Sequence, residues 1–308
     1  MFIMMNAARF AVGIQGISVA ERAYQKAVAY AKDRVQSKDL EGSPTAVSII
    51  HQPDVRRMLM SMRAQIEAAR ALAYVGAAAF DLAHHHPDEK VRGEQQAFYE
   101  FLVPVIKGWS TEMSIDVAST GLQIHGGMGF IEETGAAQYY RDARILTIYE
   151  GTTAIQANDL VGRKTVRDGG VVARGIIAAV RGTEAELAKA AAPDLQAIGA
   201  HLAAASTALE EVVAYVVANI QSDIKGVFAG SVPYLKLAGI VLCGWQMGRA
   251  ALIAQAKLDA GSGDAKFYQA KIATARFFAD YFLSQAGAYR SAIVDGSAGV
   301  LALDEAQF

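Results

Sequence analysis

The sequence predicts an all-α chain built as one antiparallel helical bundle followed by a second. Three observations carry that prediction. Nearly every long segment repeats its apolar residues at three-to-four spacing and almost none alternates, which is the helical rather than the strand period. Alanine is abundant throughout, favouring helix and close helix packing. The Gly, Pro and Ser clusters fall between the periodic stretches.

Taken in order, Val55, Met58, Leu59, Met62, Ile66 and Ala69 form the first clear stripe and predict a core-facing helix. Leu202, Leu209, Val212, Val213, Val216 and Ile220 form a second, and Phe267, Ala270, Ala273, Phe277, Tyr281 and Ser284 a third. Breaks are expected at Gly42-Ser43-Pro44, from His84 to Gly93, at Gly169-Gly170 and at Gly261-Ser262-Gly263. Five or so helices precede residue 165 and four or so follow it. The charged, glycine-containing run Gly162 to Gly170 is the expected boundary, giving domains at 1–164 and 165–308.

The 308 residues are 53% hydrophobic with only 6 Pro, enough to bury a large core. Net charge is −2 from 29 basic and 31 acidic residues, with no basic stripe, so electrostatics give no support to a nucleic-acid partner. The single Cys243 excludes an internal disulfide and a cysteine metal cluster, and fits a cytoplasmic location. His84-His85-His86 read as a solvated loop, and no metal is assigned. The apolar stretch Leu237 to Gly248 is closed by Lys236 and Arg249 and is shorter than the roughly 20 residues a bilayer requires, so no membrane span is expected. The N-terminus lacks the charged region of a signal peptide and is read as mature sequence.

The most informative run is Tyr149-Glu150-Gly151-Thr152-Thr153-Ala154-Ile155-Gln156. Glu150 is flanked by Ile145, Leu146, Ile148, Tyr149 and Ile155, and Gly151 lets a flat ligand or backbone approach. A carboxylate in such an apolar setting is expected to rise from a pKa of about 4.3 toward neutrality, which strengthens it as a base toward a C–H bond. The same run also reads as a turn opening a helix, with Thr152 or Thr153 as N-cap. Upstream, Gln123-Ile124-His125-Gly126-Gly127-Met128-Gly129-Phe130 has adjacent glycines that can expose N–H groups to a pyrophosphate, or simply make a tight turn.

Together with Tyr140-Arg141-Asp142-Ala143-Arg144, Tyr30 to Gln36, His51-Gln52 and Met4 to Arg9, these runs resemble the C-terminal helical domain of the acyl-CoA dehydrogenases over roughly residues 1 to 165. The remainder resembles the extra helical domain of the 3-methylmercaptopropionyl-CoA dehydrogenase-like subgroup. The resemblance implies FAD as cofactor, an acyl-CoA thioester as substrate and a trans-2-enoyl-CoA as product. Glu150 would remove the pro-R α proton while the β hydrogen passes to flavin N5. It further implies that Gln123, Gly126 and Gly127 contact the ADP part of FAD held by a neighbouring subunit, that Arg34 pairs with the pyrophosphate, and that Thr152 touches the flavin nucleotide. Tyr149, Gly151 and Arg9 would lie on the substrate side. Arg34 also reads as a surface ion pair with Asp33 or Asp39, and Arg141 with Asp142 as a structural pair. Ala154, Ser37 and Asn6 depart from the family pattern, where Gln, an aromatic and Asp are usual.

The resemblance further implies an electron-transfer flavoprotein as acceptor and a homo-oligomer, with the extra domain in subunit packing. Family enzymes carry an N-terminal helical domain and a β domain ahead of this point, so the chain is expected to be a truncated product, an expressed domain or one half of a split enzyme. The alternative, from a different class, is a non-catalytic helical module for oligomerisation or CoA-thioester binding.

Overall fold

The computed structural model describes residues 2–308, with side chains from residue 4 onward, so the first residue of the expected 1–164 domain lies outside the described residues. Three long helices open the chain: α1 (Phe2–Asp33), α2 (Pro53–His85) and α3 (Glu89–His125). Pro53 begins α2, where its missing N–H is one the helix leaves unpaired anyway. Asp88 caps α3 by accepting from the Lys90 amide at 2.8 Å. Gly13 of α1 lies against Ile106 and Ala23 against Gly121, so α1 and α3 run parallel, with α2 antiparallel to both.

Short helices α4 (Gly127–Phe130), α5 (Ala136–Leu146) and α6 (Thr153–Asp159) follow. Among the described residues there is no strand, only an isolated antiparallel bridge between Val35 and Ser48.

α6 runs without interruption into a π-helical turn, Leu160–Val166, and the chain turns only at Gly169 and Gly170, both at positive φ. The second group of helices is α7 (Val171–Lys189), α8 (Pro193–Asn219), α9 (Ile224–Ala229), α10 (Ser231–Asp259), α11 (Ala265–Tyr281), α12 (Ala286–Val294) and α13 (Ser297–Val300). One contiguous apolar core runs through both groups, from Ile17 in α1 to Ile293 in α12. The centre of the seam is α10, which packs on α2, α3 and α6 on one side and on α7, α8, α11 and α12 on the other. At the seam the fully buried Tyr234 hydroxyl shares a hydrogen bond of 2.9 Å with Thr165 of the π-turn.

Four sequence expectations are corrected. The stripes on α2 and α8 face the core, but the one expected on α11 is its outer face: Phe267 and Tyr281 are half exposed, and Ser284 lies beyond the helix. Ile272, Ala275, Phe278 and Ala279 face inward instead. Phe277 and Tyr281 stack on each other on the outside, at 4.2 Å between ring centroids. Second, α2 continues through His84 and His85, so of the three histidines only His86 lies in the loop. Third, the apolar stretch Leu237–Gly248 is the middle of a longer helix, α10, which also carries Lys236, Arg249, Lys257 and Asp259. By length and composition both α8 and α10 could cross a membrane, although 78% of the most apolar window of α10 is buried within the protein, against 44% for α8. Fourth, Arg141 pairs with Glu132 at 2.7 Å, while Asp142 accepts from Gln138.

Candidate active site

Glu150 lies in the six-residue connection between α5 and α6, and its backbone is unusual. Glu150 has φ of +54° and Gly151 +90°, two successive left-handed residues that reverse the chain. A non-glycine residue held there carries strain on the order of 1–2 kcal/mol, sustained only where surrounding contacts fix it. Those contacts are present. The Thr153 amide donates to the Thr147 carbonyl at 3.1 Å. Thr152 is the N-cap of α6, accepting from Ile155 N at 3.4 Å. The Thr153 hydroxyl donates to Glu112 of α3, and the Tyr149 hydroxyl to Gln15 of α1. The turn reading of this run therefore holds, with Thr152 as the cap.

Gly151 is required twice over: a Cβ there would sit 2.7 Å from Gln156 Nε2 and 3.2 Å from Ile155 Cγ2, at a φ that L-residues avoid. Gly151→Ala is expected to destabilise the chain by about 1–3 kcal/mol; urea unfolding within about 0.3 kcal/mol of wild type contradicts this account.

The Glu150 side chain is half buried. Its apolar surroundings differ from expectation. Leu146 is buried, but Ile145, Ile148 and Ile155 are about half exposed, presenting an apolar rim outward instead of folding over the carboxylate. Arg9 is buried, its guanidinium donating to Asp159 of α6 at 2.9 Å, and its Nε has no partner among the described residues. Asp159 also faces Arg163 at 3.4 Å.

Beneath the loop lies Lys107 of α3, fully buried, whose ammonium donates to the carbonyls of Leu146 at 2.9 Å and Gly151 at 2.6 Å. Burial, helped by the nearby Arg9 charge, lowers its pKa to about 8 against the opposing pull of Glu112 and Glu150. A value below the ordinary 10.5 makes the buried ammonium a cost to stability. That cost is present in full below about pH 8 and is relieved as the pH climbs toward 10.5.

The remaining predicted residues lie elsewhere. His125 stacks on Tyr30 at 4.4 Å, which joins the C-terminal ends of α1 and α3. Arg34 follows at the same end, its amide bonded to the Tyr30 carbonyl, and Gln123, Gly126 and Gly127 close α3 there. All four are exposed. Arg34 makes no ion pair with Asp33 or Asp39 among the described residues. Gly126 adopts φ 58°, ψ −141°, a conformation glycine tolerates, and an added Cβ at Gly126 or Gly127 would meet nothing within 4 Å. From Lys107 to His125 the helix rises roughly 27 Å at about 1.5 Å per residue, so the predicted set divides into two well-separated groups.

Two family models match the chain. "Acyl-CoA dehydrogenase, C-terminal domain" covers residues 3–164, and "Acetyl-CoA dehydrogenase C-terminal like" covers residues 176–304. The chain belongs to the acyl-CoA dehydrogenase family.

Within that family it is 55% identical over 296 residues to the 3-methylmercaptopropionyl-CoA dehydrogenase of Ruegeria pomeroyi, covering 96% of this chain and 50% of the relative. It is 37% identical to the broad-specificity linear acyl-CoA dehydrogenase FadE5 of Mycobacterium tuberculosis, covering 100% of this chain and 52% of that one. The chain spans about half the length of the curated relatives it matches. Two solved acyl-CoA dehydrogenase folds superpose on nearly all of it. The Bacillus anthracis enzyme complexed with FAD gives a TM-score of 0.74 at 19% identity, over 98% of this chain and 51% of that one. Caenorhabditis elegans ACDH-11 in complex with C11-CoA gives 0.70 at 17%, over 95% and 47%. At these identities the likeness establishes the fold.

Sequence reasoning gave no role to Lys107, Glu112, Gln156 and Asp159, which bond to the Glu150 turn or to Arg9. One signal was available for the first: Lys107 is the lone charge in the apolar run Phe101 to Trp109, and a lysine is almost never fully buried unless paired.

Proposed function

We infer that this chain is the C-terminal catalytic portion of an FAD-dependent acyl-CoA dehydrogenase, oxidising a saturated acyl-CoA to its trans-2-enoyl-CoA. The observation that carries the reading is Glu150, a half-buried carboxylate on a strained left-handed turn that α1 and α3 pin from beneath, with an apolar rim around it. Family membership supports the acyl-CoA class, and the exposed, Cβ-free backbone at Gly126 and Gly127 suits close approach of a dinucleotide.

Arg34, Gln123, Gly126 and Gly127 would hold FAD at the C-terminal end of α3, and Thr152 would touch it beside the middle of that helix. The separation of the two groups fits contacts to cofactors belonging to different subunits, and hence a homo-oligomer. Bound FAD supplies the hydride acceptor that no side chain can provide. Glu150 takes the α proton of the thioester, the β hydrogen leaves with its electron pair, and the C=C bond forms between them. Tyr149 and Gly151 would line the acyl group beside the carboxylate. Arg9 lies behind it, held by Asp159. An electron-transfer flavoprotein is the proposed acceptor.

The test is an anaerobic titration of the chain, reconstituted with FAD, using acyl-CoAs of several lengths while flavin absorbance is followed. Bleaching by one or more thioesters supports a self-sufficient dehydrogenase. Failure to retain flavin at all rejects independent activity and favours a helical module that binds CoA thioesters or other subunits.

A further inference from the structure

Lys107 and Gln156 approach the Glu150 turn from the protein interior, and both are fully buried. The ammonium of Lys107 bridges the Leu146 and Gly151 carbonyls, which lie on either side of residues 147–150. Leu146 ends α5, so its carbonyl is one that the helix itself leaves without a donor. The Gln156 amide donates to the Gly151 carbonyl at 3.2 Å and to that of Glu150 at 3.4 Å. Its Oε1 is buried with no partner among the described residues, so the side chain is committed to the loop by its donor end alone.

Two buried donors thus grip three carbonyls around one strained residue. Hydrogen bonds from a charged group are among the stronger ones a protein makes, and they are stronger still out of water. Without them the turn could relax out of the left-handed region, and the carboxylate would leave the backbone in another direction.

We propose that Lys107 and Gln156 are positioning residues for Glu150, clamping the carbonyls that flank it and thereby fixing the direction in which its carboxylate projects. The clamp is a property of the chain; its bearing on turnover rests on the reading of Glu150 as the base. Arg9 from α1, Glu112 from α3 and Glu150 itself are the charges that face Lys107, with Asp159 of α6 behind Arg9. Their balance leaves the ammonium near its titration midpoint in mildly alkaline solution.

Hydrogen exchange read by mass spectrometry on the full chain decides the clamp. In Lys107→Met, peptides spanning 147–155 are expected to exchange about tenfold faster than in wild type, while α7 and α8 keep their protection. Gln156→Leu should give the same local pattern more weakly, and it carries the test if Lys107→Met does not fold. Unchanged exchange across 147–155, or a rise spread evenly over every helix, overturns the proposal.

The link to catalysis has its own readout. With FAD and acyl-CoA, Lys107→Met should slow flavin reduction about 100-fold at unchanged thioester affinity, and the step in the wild-type rate near pH 8 should vanish. A slowed variant that keeps this step contradicts the positioning role. A wild-type chain with no flavin reduction rejects its independent activity, and the exchange result alone then decides whether the clamp exists.

Discussion

Glu150→Gln is expected to lower the rate of flavin reduction by acyl-CoA roughly 10^2- to 10^4-fold, the range supplied by a positioned general base. The substitution preserves volume and shape. Its backbone must still adopt φ of +54°, and none of the bonds that hold the loop involves the Glu150 side chain. Melting temperature and acyl-CoA affinity should therefore stay close to wild type, which separates lost chemistry from lost structure. Stopped-flow absorbance under anaerobic conditions gives the rate, and a residual rate within about tenfold of wild type would remove Glu150 from the role of base. Glu150→Gly provides the complement. It deletes the carboxylate and also relieves the left-handed strain, so it should be inactive yet about 1 kcal/mol more stable in urea. A gain in stability with loss of activity would identify the strain as a feature retained for function.

The largest effect on stability is expected at Asp159. Its carboxylate is the partner of the buried Arg9 guanidinium at 2.9 Å, across 150 residues of chain. Asp159→Ala leaves that charge enclosed, with Nε already unpartnered, and should cost about 3–5 kcal/mol by urea or thermal unfolding. Removing both charges at once, as Arg9→Met with Asp159→Leu, should restore much of the loss, because it is the orphaned charge and not the missing attraction that is expensive. A single-variant cost below about 1 kcal/mol would mean that water reaches the guanidinium and that the pair is less sealed than its burial indicates.

How much of this could be read from the sequence depends on the distance over which each feature is decided. The stripes of α2 and α8 were legible because a single apolar face dominates each helix. α11 was misread because its alanines leave two candidate faces one position apart, and the larger aromatics Phe267 and Tyr281 marked the outer one. Packing against α8 and α10 decided between them, which the segment itself does not encode. At the site, the Glu-Gly-Thr-Thr pattern was local and readable, since Gly151 and Thr152 announce a reversal and a helix cap.

The residues that hold the turn were not readable in the same way. Lys107, Glu112 and Asp159 act across long sequence separations, and each, like the nearby Gln156, looks in isolation like ordinary helix composition. The exposure of Ile145, Ile148 and Ile155 was equally hidden, because periodicity locates apolar residues without saying whether anything in the same chain covers them.

The position of α10 bears on how the chain is made. Residues of α2 and α3 precede α10 in the chain, so the side of the seam that receives it, including Trp109 against Gly239, is synthesised before this apolar helix. Dividing the chain near residue 164 would separate that side of the seam from its occupant, leaving two fragments with complementary apolar faces, so the second group of helices depends on the first for its packing.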